Sequence, residues 1–304
     1  MTSATSVLDN VRLFKGHGTE NDFVILPDPD GRFEITPSLV ASLCNRYTGL
    51  GGDGLLRIVP SAAIRATDAV DATEDDESAA NRAPETQSTW FMDYRNADGS
   101  PAEMCGNGAR VFAHFLRAFG LEEADEFIIG TRAGDRTVTV HSADERHAEV
   151  SIGMGKVNVL GVSTCFLGKR AFAGLGVDVG NPHLACIIPG LTEEQLSHMP
   201  IPAGFTTDDE FFPEGVNVEI ATELKDSAVT MRVNERGVGE TRSCGTGTVA
   251  VATAALADAG LHEGEVTVNV PGGAVRVTLK DGFATLRGPS EIVYSARMSG
   301  NRNA

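Results

Sequence analysis

The chain has 304 residues, enough for two domains of medium size that each bury a core. Its 41% hydrophobic and 22% charged content describe an ordinary soluble protein, and a formal charge of −17 argues against a nucleic-acid surface, which would be basic. No basic-plus-apolar leader stands in Met1 to Phe14 and no apolar run is long enough to span a bilayer, so a cytoplasmic protein without nucleic-acid or membrane partners is expected.

Val11 to Phe14 and Phe23 to Leu26 read as strands around a polar turn from Gly16 to Asp22. Thr36 as cap and Pro37 at the first helical position open a helix that runs through Tyr47 and stops at Gly49. Leu39, Val40, Leu43, Cys44 and Tyr47 form its apolar stripe. A glycine-rich loop, Gly49 to Gly54, leads into a strand from Leu55 to Val59. Residues 61–88 carry Asp68, Asp71, Glu74, Asp75, Asp76, Glu77 and Glu85 against Arg65 and Arg82, with almost no large apolar side chain. Such a stretch buries too little surface to order itself, and a mobile acidic insertion is expected.

The segment Met104-Cys105-Gly106-Asn107-Gly108-Ala109-Arg110 opens a helix whose Val111, Phe112, Phe115, Leu116 and Phe119 mark it as buried. Thr137 to His141 and Ala148 to Ile152 alternate like a hairpin. Thr192 with Gln195 makes a capping box for a short helix that ends before Pro200. Strands follow at Val216 to Ile220 and Ala228 to Val233. Ser243-Cys244-Gly245-Thr246-Gly247-Thr248 then opens an alanine-rich helix, and Val266 to Val270, Ala274 to Leu279 and Phe283 to Leu286 are further strands. The class is α+β, two mixed β-rich domains each wrapped around one prominent helix.

The two cysteine segments are near copies. Asn96 lies nine residues before Cys105 and Glu235 nine before Cys244, with a glycine-containing approach in each case. In a chain with 34 glycines one Cys-Gly-x-Gly could be chance, but two with matching spacing and matching helices point to an internal duplication. A thiol at a helix N-terminus faces backbone N–H groups and the positive end of the dipole, so a lowered pKa is expected at both. Two such thiols suggest a pair facing one substrate, one as base and one as acid. The remaining cysteines, Cys44, Cys165 and Cys186, have apolar or small neighbours and read as buried packing residues. The five cysteines are odd in number and irregular in spacing, which disfavours a disulfide framework, and the missing Cys-x-x-Cys pair disfavours a zinc site and a thioredoxin-type site.

The chain closely resembles the diaminopimelate epimerases. The resemblance rests on Asn21-Asp22-Phe23, Asn96-Ala97-Asp98-Gly99-Ser100, the Cys105 motif, Gly180-Asn181-Pro182-His183, Val216-Asn217-Val218, and Glu235-Arg236-Gly237-Val238-Gly239-Glu240-Thr241 leading to Cys244. It implies two pseudo-symmetric β-barrel-like domains, each with a central helix and a substrate cleft between them. Their expected bounds are residues 1–148 and 149–289, with 290–304 returning to the first. It implies an isomerase without cofactor or metal that converts LL- to meso-diaminopimelate in lysine and peptidoglycan-precursor synthesis. In the family's usual direction Cys105 is the proton donor and Cys244 the acceptor, with His183 and Glu235 beside the reacting centre. Asn21, Asn96, Asn181 and Asn217 are expected on the substrate's ammonium and carboxylate groups, completed by Gly106, Asn107, Glu235, Arg236, Gly245 and Thr246. Tyr294 stands at a position associated with dimer contact, so a homodimer is implied.

Inverting an α-carbon removes hydrogen from one face and returns a proton to the other, which two groups on opposite faces do most simply. The developing carboxylate charge then needs donors, which the two helix N-termini offer. Two positions depart from the resemblance: Gly54 where many relatives have Gln, and Glu20 where Gly is usual. Proline racemases and hydroxyproline epimerases share the architecture, but their first motif has His where this chain has Asn107. A non-enzymatic thiol redox or zinc-binding module is the reading from another class.

Overall fold

The computed structural model describes residue 8 and residues 10–64 and 85–298. The chain divides into two compact units. One holds the chain up to Gly18, Asp22–Val150 and the chain from Pro289; the other holds Thr19–Asn21 and Ser151–Gly288.

In the first unit, β1 (Arg12–Gly18), β2 (Asn21–Pro27), β3 (Gly54–Pro60), β4 (Trp90–Asn96), β5 (Glu126–Gly130), β6 (Arg136–Ala143) and β7 (His147–Lys156) are hydrogen-bonded in that order. The last described strand, β16 (Phe283–Arg297), lies between β7 and β1 and closes the ring, with Leu13 opposite Ala296 and Phe14 opposite Ser295. Phe23 to Leu26 is buried without interruption because β2 runs parallel to β3 and is covered on both faces. Helix α1 (Pro37–Cys44) makes the crossover and packs Leu39, Val40, Leu43 and Cys44 on Leu13, Val24, Leu26 and Leu55. Its cap is as read, with Leu39 N donating to Thr36 Oγ1 at 3.2 Å.

The far end of α1 differs from the expectation. The helix stops at Cys44, since Asn45 turns extended and its Oδ1 accepts from the Tyr47 and Thr48 N–H groups. The Leu43 carbonyl is taken by Leu50 and Gly51 folding back. Tyr47, placed by helical spacing in the apolar stripe, is 98% exposed.

Helix α2 (Gly106–Ala118) joins β4 to the parallel β5 and is buried from Gly106 to Leu116. It touches β1, β3, β4 and β6 from inside the ring. β4 lacks the sequence signature of a strand because Asp93 and Arg95 interrupt its apolar run. Asp93 is fully buried and answered by Arg132 at 2.6 Å, Arg95 at 3.0 Å and Arg57 at 3.5 Å. Burial alone would raise this carboxyl, but the guanidiniums of Arg132, Arg95 and Arg57 outweigh it and hold it below the ordinary carboxylate range.

The acidic insertion is narrower than 61–88. Residues 61–64 are helical, and Ile64 packs with Val59 and Phe91. Thr86 and Ser88 are buried, and the Ser61 and Ser88 hydroxyls bond at 3.1 Å. Both ends therefore belong to the packed body. The rest of the expected insertion, residues 65–84, lies outside the described residues.

The second unit repeats the order of pairing. β8 (Asn158–Leu167), β9 (Arg170–Asp178), β10 (Pro182–Ile188), β11 (Asn217–Thr222), β12 (Ala228–Glu235), β14 (Gly264–Val270), β15 (Gly273–Lys280) and the start of β16 are neighbours in sequence, with β13 (Gly239–Thr241) added to β12. β10 and β11 are parallel across a crossover carrying α3 (Glu193–Ser197), as β2 and β3 are across α1. β12 and β14 are parallel across α4 (Gly245–Asp258), as β4 and β5 are across α2. The capping box on α3 is present in both directions. The alanines of α4 let it approach β9, β10, β11, β12, β14 and β15 closely. Cys165 and Cys186 are buried packing residues of this unit, and Cys44 of the first, as expected.

Candidate active site

Each cysteine of the repeated motif is the N-cap of a helix. Cys105 (φ −140, ψ 115) precedes α2 and Cys244 (φ −124, ψ 116) precedes α4, and each sulfur accepts from the backbone N–H three residues on at 3.4 Å. The same sequence thus folds to the same cap twice. The upstream partners match too: Asn96 ends β4 and Glu235 ends β12.

Their surroundings differ. Cys105 is half-buried, and one turn into α2 lies Arg110, fully buried and close enough to interact with it electrostatically. Arg110 Nε donates to the Pro289 carbonyl at 3.2 Å and Nη1 to that of Gly106 at 3.4 Å, and burial pushes the guanidinium down to about 10. Asn107 is buried in the same turn. Asn96 is exposed and its Nδ2 donates to Ser100 Oγ at 3.0 Å.

Cys244 is 7% exposed and has acidic neighbours. Burial first, then Glu235 and Glu219, raise this thiol well above its ordinary range, against smaller lowering by Thr246 Oγ1 at 3.5 Å and the Gly247 N–H. The expectation of a lowered pKa at both helix ends is therefore corrected at Cys244. A helix N-terminus favours the thiolate, but a desolvated sulfur between two carboxyl groups keeps its proton. Glu235 is itself raised, by burial foremost, and accepts a short bond from Thr241 Oγ1.

The second unit brings Cys244, Gly245, Thr246, Glu235, Arg236, Asn217, His183 and Asn181 into one neighbourhood. Asn217 Oδ1 accepts from the Arg236 N–H at 2.8 Å, and Arg236 Nη1 donates to the Glu214 carbonyl at 2.6 Å. His183 is fully buried, with Nδ1 at 2.7 Å from Glu219 Oε1 and Nε2 at 3.2 Å from Asn181 Oδ1. Glu219 was missed by motif reading. The signal was present, for it stands two residues after Asn217 on one strand and so shares its face.

Both departures have physical reasons. A Cβ on Gly54 would lie 2.4 Å from the Arg95 carbonyl oxygen and 2.6 Å from the Tyr94 ring, so β3 admits no side chain there. Glu20, at φ 62, forms a short ion pair with Arg242, which also donates to the Pro271 carbonyl at 2.8 Å. With Thr19 Oγ1 bonded to Ser243 Oγ at 2.7 Å, it fastens the segment leading into Cys244. Asn21, the next residue, opens β2.

The diaminopimelate epimerase family matches the chain over residues 13–160 and 175–293. The chain belongs to this family. It is 57% identical to the diaminopimelate epimerase of Corynebacterium glutamicum strain ATCC 13032 over 92% of this chain and 95% of the relative. The corresponding enzyme of Mycobacterium ulcerans is 54% identical over 94% and 96%. The diaminopimelate epimerase-like fold is shared more widely. A hydroxyproline epimerase from Agrobacterium vitis superposes with a TM-score of 0.60 at 15% identity, covering 96% of this chain and 92% of its own. A Bacillus anthracis protein of the PhzF phenazine-biosynthesis family gives 0.60 at 15%, covering 95% and 98%. At that identity only the architecture is common. Among the described residues no group of three His, Cys, Asp or Glu side chains is placed to hold a metal ion, and no helix is long and apolar enough to cross a membrane.

Proposed function

We propose that this protein is a cytoplasmic diaminopimelate epimerase that interconverts the LL and meso isomers with Cys105 and Cys244 as the acid–base pair. The observation that carries the reading is the pair of cysteine-capped helices, alike in backbone and opposite in electrostatic setting. The buried Arg110 beside Cys105 favours negative charge there, and burial, together with the carboxyl groups around Cys244, favours a neutral thiol. These two settings suit the opposite protonation states that two-face proton transfer requires. Cys105 takes the α-hydrogen of one isomer as a proton while Cys244 delivers its own to the opposite face. The exchanged pair, with Cys105 as donor and Cys244 as acceptor, serves the family's usual direction. Backbone N–H groups of Gly106 and Asn107 and of Gly245 and Thr246, at positive helix ends, stabilise the charge that moves onto the carboxylate. Glu235 borders Cys244, and His183 acts from behind Asn181. Asn21, Asn96, Asn217 and Arg236 complete the polar contacts with substrate.

Incubation with LL-diaminopimelate in deuterated water tests this. Meso product carrying one deuterium at the inverted carbon is expected, and absence of both inversion and label sinks the proposal. We further propose a homodimer through the surface of Tyr294 and Val293, each 44% exposed. Sedimentation of Tyr294→Asp as a monomer where the parent is a dimer supports it, and an unchanged dimer overturns it.

A further inference from the structure

We infer that Glu219 is a positioning residue of the Cys244 site, holding the His183 ring by its Nδ1–H and keeping both ring nitrogens protonated. The inference rests on the epimerase reading and adds a charged element to it.

Four observations lead there. Glu219 and His183 are both fully buried, and their contact is 2.7 Å. The other ring nitrogen faces an amide oxygen, Asn181 Oδ1, at 3.2 Å. With Glu219 as a carboxylate, both contacts are satisfied together only when both ring nitrogens carry hydrogen. Glu219 Oε2 has no hydrogen-bond partner although it is buried, and a buried carboxylate so poorly solvated needs a countercharge. Of the described titratable groups that interact with it, Glu235, Cys244, Cys165 and Cys186 are acids or thiols, and His183 supplies the countercharge.

The fourth observation separates the two halves of the repeat. A Cβ on Gly247 would lie 2.7 Å from Glu219 Oε1, so the second glycine of the Cys244 motif makes room for this carboxylate at the first turn of α4. The matching Gly108 faces carbon instead: Leu56 at 3.2 Å, and Cys105 Cβ and Phe23 at 3.5 Å. One glycine, in the same cap, thus admits a charge in one copy and an apolar side chain in the other. The His183–Glu219 pair is set in the second copy of the cap, beside Glu235 and Cys244, where an imidazolium limits the repulsion that a thiolate on Cys244 meets mid-reaction.

The test is nitrogen-15 NMR of the histidine ring in the full-length wild-type protein, free of substrate, together with Glu219→Gln. Wild-type His183 is expected to show two protonated ring nitrogens at neutral pH. Glu219→Gln, which keeps shape and one acceptor, is expected to show one, and to lower kcat about 100-fold, the low end of what a positioned acid–base group contributes, while KM changes far less. A neutral His183 ring in the folded wild type overturns the inference by itself, whether or not the variant folds. So does a variant with wild-type kcat and an unchanged ring. Wild-type protein that fails to epimerise diaminopimelate yet shows the imidazolium refutes the functional reading and leaves the ring assignment intact.

Discussion

Arg110 stands beside Cys105 and Glu219 beside Cys244, and the proposed mechanism depends on that difference more than on the shared cap. Cys105→Ser and Cys244→Ser are each expected to lower turnover to near the limit of detection while leaving the thermal midpoint almost unchanged, because a serine hydroxyl in the same cap is far too weakly acidic to act as a thiolate. Near-parental turnover in either variant contradicts the two-thiol pair. Asp93 gives a second prediction at this scale. Its folded pKa lies below the unfolded value, so its contribution to stability is full above pH ~3.9 and is lost as pH falls from there towards the folded value. Asp93→Asn strands the guanidiniums of Arg132, Arg95 and Arg57 and is expected to cost about 3–5 kcal/mol at pH 7. The gap between variant and parent should narrow in urea melts near pH 3.5, and a gap that stays constant with pH argues against the assignment.

Elements were legible where local chemistry decided them. The Thr36 and Thr192 caps and the two cysteine-capped helices needed only a few adjacent residues. The end of α1 did not, since Asn45 offered its side chain to Tyr47 and Thr48, a choice that helical periodicity ignores. β4 hid behind Asp93 and Arg95, whose burial makes sense only with Arg57 and Arg132 from other strands. β8 and β9 hid for another reason: Val159, Leu160 and Val162 are exposed on β8, and glycines dilute the alternation of β9. β5 and β10 also escaped notice, and Glu219 with them, because a buried acid reads as a surface residue until its histidine is placed beside it. The packed ends of the acidic stretch supply the prediction here. Ile64→Ala removes a core contact with Val59 and Phe91 and is expected to cost about 2–5 kcal/mol. A loss within about 0.5 kcal/mol, as for an ordinary surface site, shows that Ile64 is no part of the core.

At the scale of the whole molecule, β16 is one strand with two memberships: its start pairs β15, and its later residues lie against β1 as part of the first unit. Removing the chain from Pro289 onward uncovers the edges of β1 and β7 and takes Pro289, Ser290 and Ile292 away from Arg110, His114 and Arg146. The shortened protein is expected to lose its cooperative melting transition and to aggregate. A soluble product that melts with the parent's midpoint argues against the closed ring. Ribosomes complete most N-terminal domains before the rest of a chain emerges. Here the first ring is finished late: its closing strand leaves the exit tunnel after every other described strand has been made. β1 must wait for a partner some 280 positions away, and that late arrival makes the nascent chain's exposed β1 edge a natural client for chaperones.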